Sequence, residues 1–202
     1  MSNENGLSNA IKLILVGDTG TGKTNLISVA AGLEFNAGAL TTTSCSFIQK
    51  IVKTNKKEYK INLWDTIGQE KYRSLTKIFV KDSNIVILVY DITKRESFES
   101  LKYWKSIIDE ILGKDITLGV VGNKIDLYLE EAVKENEGQE YADSIGAKFQ
   151  LTSAKNNPKE FSHFIEEMLE EYLKNNKGEI RKESITIKKV VKKKEKGGGC
   201  CS

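Results

Sequence analysis

Gly17-Asp18-Thr19-Gly20-Thr21-Gly22-Lys23-Thr24 follows directly on an apolar run of Ile11, Leu13, Ile14, Leu15 and Val16. A G-x-x-x-x-G-K-[ST] spacing between a strand and a helix makes a loop whose backbone N–H groups converge on one anion. Gly17, Gly20 and Gly22 free the backbone to take positive φ and to approach phosphate oxygens without a Cβ in the way. Lys23 brings a point charge to the β and γ phosphates, and Thr24 offers a hydroxyl to Mg²⁺. The plain alternative is a glycine turn beside a surface lysine, and the strand before and the helix after count against it.

Working outward, Ile11–Val16 reads as a buried parallel strand and Lys23 to Gly32 as a helix, with Leu26, Ile27 and Ala30 at helical spacing and Gly32 as its stop. Residues 33–43 have no period and read as a loop. Phe47, Gln49, Ile51 and Lys53 alternate with their neighbours. A turn over residues 55–57 leads to a second alternating run, Tyr59 to Trp64, which together make an antiparallel hairpin at a sheet edge. Ile85 to Tyr90 and Ile116 to Gly122 are further buried strands, and Lys148 to Leu151 a short one. Helices are expected over Ser97 to Leu112, Glu131 to Ile145 and Pro158 to Leu173, the last with proline in its first turn. Strands alternating with helices predict an α/β fold: a doubly wound, mostly parallel six-stranded sheet with one antiparallel edge hairpin strand and ligand loops at the carboxyl ends of the strands.

Length and composition agree with one such domain and a tail. The chain has 202 residues, 39% of them hydrophobic, enough for one core of ordinary size. Ile85 to Tyr90, the longest apolar stretch, is too short to cross a bilayer, and the N-terminal decade has no signal-peptide core. The three cysteines cannot staple a fold, because Cys45 lies in a predicted strand and the others are adjacent at the end; a reducing compartment is implied. The net charge of +3 is unevenly spread. Nine Lys and Arg against three Glu give residues 177–202 a net +6, and residues 1–176 carry −3. The division expected is a flexible N-terminus over 1–8, one nucleotide-binding domain over 9–174 and a disordered basic tail over 175–202.

Three further stretches address the nucleotide. Asn123-Lys124-Ile125-Asp126 follows the strand ending at Gly122. A carboxylate at Asp126 accepts from both N1–H and the exocyclic amino group of guanine, whereas adenine would leave it unpaired, and an unmatched buried polar group rejects strongly. Asn123 can tie this loop to the phosphate loop, and the Lys124 stem can cover the base. In Trp64-Asp65-Thr66-Ile67-Gly68-Gln69-Glu70, Asp65 can hold Mg²⁺ through water and the Gly68 N–H can meet a γ phosphate. In Thr152-Ser153-Ala154-Lys155 the Ala154 N–H can reach guanine O6, although alone this is an ordinary loop.

These four segments, in this order, resemble the Ras superfamily of small GTPases over about residues 9 to 174. Within it the chain is most similar to the Rab family, on Gln69-Glu70-Lys71-Tyr72-Arg73-Ser74-Leu75 and on Leu88-Val89-Tyr90-Asp91-Ile92-Thr93 followed by Glu96-Ser97-Phe98. The resemblance implies a GTP/GDP switch that hydrolyses GTP slowly with Mg²⁺ and acts in vesicle-mediated transport. It implies a nucleotide held by Asp18, Thr19, Gly20, Thr21, Gly22, Lys23, Thr24 and Asn25, with Phe35 beside the guanine. Asn123, Lys124, Asp126, Ser153, Ala154 and Lys155 would complete the base site. Mg²⁺ would be held by Thr24, Thr42 and Asp65, and hydrolysis would fall to Gln69, Lys23, Thr42 and Gly68, with Gln69 orienting the attacking water. Phe47, Trp64 and Phe79 would form an aromatic triad for effectors, or else simply pack the hairpin. Implied partners are an exchange factor, a GTPase-activating protein, a GDP-dissociation inhibitor or escort protein, and effectors, around a monomer that binds no nucleic acid.

The chain departs from that pattern at Ile67, where alanine is usual, and at Ala39, where a tyrosine lid is common. A binding module that barely hydrolyses GTP is therefore the alternative, and an ATP-using P-loop kinase a third reading that Asn123 to Asp126 oppose. Cys200-Cys201-Ser202 resembles the Rab geranylgeranylation signal, which with the tail lysines implies anchoring to the cytoplasmic face of an anionic intracellular membrane in exchange with the cytosol. A solvated charge run with labile thiols is the simpler reading of the same residues. His163 is expected at the surface of the last helix and Met168 in the core.

Overall fold

The computed structural model describes residues 10–39, 42, 45–54, 56–66 and 73–176. Six strands form one sheet in the order β2-β3-β1-β4-β5-β6. They are β1 Ile11–Val16, β2 Ser46–Thr54, β3 Lys57–Asp65, β4 Ile85–Asp91, β5 Thr117–Asn123 and β6 Lys148–Thr152. Every neighbouring pair is parallel except β2–β3, whose antiparallel register sets Phe47 opposite Trp64. This is the doubly wound sheet with one antiparallel edge strand read from the sequence.

The near-continuous apolar strands follow from burial on both faces. Leu13, Leu15, Ile85, Ile87 and Val89 point to a core shared with α1 (Lys23–Ala30) and α6 (Pro158–Asn175), which contribute Leu26, Ile27, Phe161, Phe164 and Met168. Ile14, Val16, Val86, Leu88 and Tyr90 point the other way, to Trp104 and Ile108 of α4 (Leu101–Leu112) and Ala142 of α5 (Glu135–Ser144). Lys12 survives in the buried strand β1 because its ammonium reaches the Lys81 carbonyl at 2.8 Å and lies 4.7 Å over the Trp64 ring.

Several boundaries differ from expectation for identifiable reasons. The helix after Lys23 ends at Ala30, where Gly32 at φ 84° lets Leu33 N bond back to Ser28 O at 2.9 Å. The helix predicted over Ser97 to Leu112 is two, α3 (Arg95–Glu99) and α4, which meet at Ser100. Glu131 to Ile145 is not one helix: the 3₁₀ segment Ile125–Glu130 precedes α5, and the Ala132 and Val133 N–H groups both bond to Ile92 O, which pulls that backbone off a helical path. The helix α2 (Arg73–Val80) has no counterpart among the expected elements, and Cys45 stands just ahead of β2 rather than in it. Met168 is buried, and His163 is exposed within 3.3 Å of Glu167. Among the described residues no helix is long and apolar enough to cross a membrane.

Candidate nucleotide-binding site

The loop between β1 and α1 is shaped by its glycines. A Cβ on Gly17 would stand 2.1 Å from Val89 O, and one on Gly22, at φ 94°, 2.3 Å from Asn123 Nδ2. The first position lets the loop leave the sheet beside β4, and the second lets the Asn123 side chain reach across it. Asn123 Nδ2 donates to Thr21 O at 2.9 Å, and its Oδ1 accepts from Ala154 N at 3.3 Å. One amide at the end of β5 therefore joins the loops that follow β1, β5 and β6.

These loops enclose a cleft of about 380 Å³ lined by Thr19, Gly20, Gly22, Lys23, Thr24 and Asn25 at one end and by Asn123, Lys124, Asp126, Ala154 and Lys155 at the other. Phe35 and Thr42 line it as well. Asn25 holds the Phe35 loop to α1 through paired bonds to Asn36 N and O at 3.1 and 3.0 Å.

At the first end Lys23 is buried, and its Nζ donates to Gly17 O at 2.8 Å and Asp18 O at 2.7 Å. Burial pushes its ammonium down to about 8, with the charges of Asp65 and Asp18 acting the other way. Thr24 Oγ1 lies 2.7 Å from Thr42 Oγ1 and donates to Asp65 Oδ2 at 2.8 Å, and Thr42 Oγ1 donates to the same oxygen at 3.3 Å. Burial raises the Asp65 carboxyl above its ordinary value, although both threonine hydroxyls and Lys23 favour the charged form. Its Oδ1 is buried with no hydrogen-bond partner among the described residues. Two hydroxyls and a single carboxylate, all hard oxygen donors with one carboxylate oxygen unsatisfied, are the donor set that would suit a hard divalent cation.

At the second end Asp126 Oδ1 accepts from Ser153 Oγ at 2.5 Å, and Ser153 Oγ accepts from Asn156 N at 3.0 Å. Ser153 thus holds the Asp126 carboxylate in one orientation. Lys124 is in the left-handed region, at φ 72°, and pairs with Asp91 Oδ2 at 2.7 Å.

With this geometry in hand, comparison with known proteins decides the family. Residues 12–174 match the Ras family. The Ras-related protein Rab-21 of Canis lupus familiaris is 37% identical over 209 residues, covering 98% of this chain and 94% of that protein. Rab-21 of Rattus norvegicus is 41% identical over 152 residues, 75% of this chain and 68% of its own length. Rab-26 of Rattus norvegicus is 37% identical over 147 residues, 72% and 57% of the two chains.

The chain is a Rab-like member of the Ras family of small GTPases. Its sheet is that of a small G domain, and the cleft sits at the carboxyl ends of the strands. Of the residues the Rab resemblance assigned to nucleotide, Asp18 has only its backbone left for the cleft: its Oδ1 accepts from Trp104 Nε1 at 2.9 Å, so its carboxylate ties the phosphate loop to α4. Thr21 uses its hydroxyl on Asp18 O at 3.0 Å. Gly68 and Gln69, together with Ile67, lie outside the described residues, as do Cys200 and Cys201.

The Rab aromatic triad is brought together, with Phe47 and Trp64 stacked at 4.9 Å and Trp64 and Phe79 at 6.4 Å between ring centroids. Phe47 nonetheless remains 45% exposed, so the cluster is both a packed unit and a surface. Sequence reading missed Ala37, Thr66 and Leu127, which line the cleft, and the partners Trp104 and Asp91. Leu127 was within reach, being the residue after Asp126. Trp104 lies 86 residues from Asp18, and no local pattern announces that bond.

Proposed function

We propose that this Rab-like GTPase is a GTP/GDP switch of membrane traffic that binds guanine nucleotide with Mg²⁺ and hydrolyses GTP slowly. The observation that carries the reading is one cleft lined at one end by Lys23, Thr24 and Thr42, whose two hydroxyls meet Asp65 behind them, and at the other by Asn123, Ala154 and Asp126, which Ser153 holds from behind. In this reading Lys23 and the phosphate-loop N–H groups hold the phosphates, and Asp126 identifies guanine through N1–H and the amino group. Lys124 covers the base with its stem, Phe35 stands beside it, and Ala154 N–H and Lys155 close the rim. Thr24, Thr42 and Asp65 hold Mg²⁺, which when bound supplies positive charge to phosphate oxygens. Lys23 stabilises charge spreading over the transferred phosphoryl group, Gln69 orients the water, and Gly68 N–H meets the γ phosphate.

The domain then spans residues 9–174 between a short N-terminal segment and a basic tail from 175. Prenylation of Cys200 and Cys201 anchors that tail to the cytoplasmic face of an intracellular membrane, with lysines facing the anionic leaflet. Phe47, Trp64 and Phe79 receive effectors, and an exchange factor, an activating protein and a GDP-dissociation inhibitor drive the cycle.

Single-turnover GTP cleavage by the wild-type chain and by Gln69→Leu tests the enzymatic part. The expected result is slow cleavage by the wild type and a loss of at least about tenfold in the variant. Equal rates would leave a guanine-nucleotide binding module, the alternative that Ile67 and Ala39 favour.

A further inference from the structure

Strand β4 ends in a residue that the chemistry above leaves unused. Asp91 is 0% exposed, where a carboxylate is rare unless it is paired. Its Oδ1 accepts from Thr93 N at 3.0 Å and Thr93 Oγ1 at 2.7 Å, and its Oδ2 lies 2.7 Å from Lys124 Nζ. The β4–β5 register sets Asp91 opposite Asn123, and Ile92 N donates to Asn123 O at 3.1 Å. The carboxylate is therefore fixed to the strand end from which Lys124 springs.

Lys124 needs such a tether. Its left-handed backbone is costly for a residue with a Cβ, and a lysine stem has many rotamers to lose. From that backbone the side chain lines the cleft and passes Gly22, its Cε lying 4.0 Å from where a Gly22 Cβ would stand, before its ammonium meets Asp91. The two ends of the stem are thus pinned, one by the loop and one by a buried charge. Without the carboxylate the ammonium's alternative partner is water, and the stem would swing out of the cleft.

We infer that Asp91 is a positioning residue for nucleotide binding: by holding the Lys124 ammonium it keeps the stem along the cleft wall, and so sets how long a purine nucleotide stays bound whatever groups the base carries. This rests on the reading of the cleft as a guanine-nucleotide site. Because the stem offers only CH₂ surface to the ring, the effect is the same for GDP, IDP and XDP. Asp126, in contrast, distinguishes those bases.

The test is a double-mutant cycle on the full chain loaded with fluorescent GDP and Mg²⁺, with release followed after adding excess unlabelled nucleotide. Asp91→Asn keeps an acceptor for Thr93 and removes the charge, and Lys124→Met keeps the stem and removes the ammonium. Each is expected to accelerate release by about tenfold, and the double variant no further, since both break one ion pair. GDP and IDP should be affected by the same factor. Thr93→Val removes one of the two bonds to Oδ1 and keeps the ion pair, and is expected to accelerate release by less than about threefold. The inference is overturned if Asp91→Asn releases at the wild-type rate, or if the two effects multiply to about a hundredfold. Should Asp91→Asn fail to fold, Lys124→Met and Thr93→Val decide alone: tenfold acceleration in Thr93→Val, or none in Lys124→Met, overturns it. Failure of the nucleotide-site reading would show separately, as a wild-type chain that retains no fluorescent GDP.

Discussion

The two ends of the cleft, which the proposed function gives to the base and to the phosphates, are built in opposite ways. At the base end the side chains are held to one another across three loops: Asn123 is hydrogen-bonded to Thr21 and Ala154, Asp126 to Ser153, and Lys124 is ion-paired with Asp91. At the phosphate end Lys23 is folded onto carbonyls of its own loop, its charge disfavoured by burial, and Asp65 keeps a buried oxygen without a partner among the described residues. A preorganised constellation discriminates, because a wrong ligand strands groups that cannot move to accommodate it. Buried charges with provisional partners gain most when counter-charges arrive. Specificity is thus expected to reside at the base end, and most of the affinity at the phosphate end.

That division can be broken in four places, beginning with the largest effect. Lys23→Ala removes the charge at the phosphate end and is expected to weaken GDP binding by about a thousandfold or more, roughly 4 kcal/mol, measured by competition against fluorescent GDP. Guanine preference should survive among whatever binding remains. Chelating Mg²⁺ is expected to accelerate GDP release by about a hundredfold, and Asp65→Ala should abolish most of that response because its carboxylate anchors the oxygen cluster. Asp126→Asn attacks the other end. It should cost about thirtyfold or more in GDP affinity while improving XDP, whose ring presents a carbonyl where guanine presents an amine. Last, Trp104→Phe removes the N–H that holds Asp18 and keeps the ring; a threefold rise in GDP release is expected, about the worth of one modest hydrogen bond. Loss of guanine preference in Lys23→Ala, or its survival in Asp126→Asn, would reverse this division of labour.

The central strands β1, β4 and β5 were legible because they are buried on both faces and so read as nearly continuous apolar runs. The edge strand β2 was legible for the opposite reason, exposed and covered side chains in alternation, whereas β3 lies inside the sheet with Ile61, Asn62 and Leu63 all buried. Where long-range bonds overrule local propensity the reading failed. Residues 131–145 are rich in helix formers, yet Ile92 O captures the N–H groups of Ala132 and Val133 and breaks the run. In the site, residues that line the cleft themselves were readable from spacing: Lys23, Thr24, Asn123 and Asp126. The residues that act through another, Asp91 on Lys124 and Trp104 on Asp18, were not, since strand register and helix packing alone bring them together. Asp18 was the reverse case, a phosphate-loop residue whose side chain serves α4 rather than the cleft.

Competition of GDP and ADP for the cleft of the magnesium-loaded chain tests the central claim most directly. With Asp126 already oriented by Ser153 and Lys23 waiting at the far end, GDP should displace fluorescent GDP at concentrations at least about a thousandfold lower than ADP. Displacement by the two at similar concentrations would contradict the account.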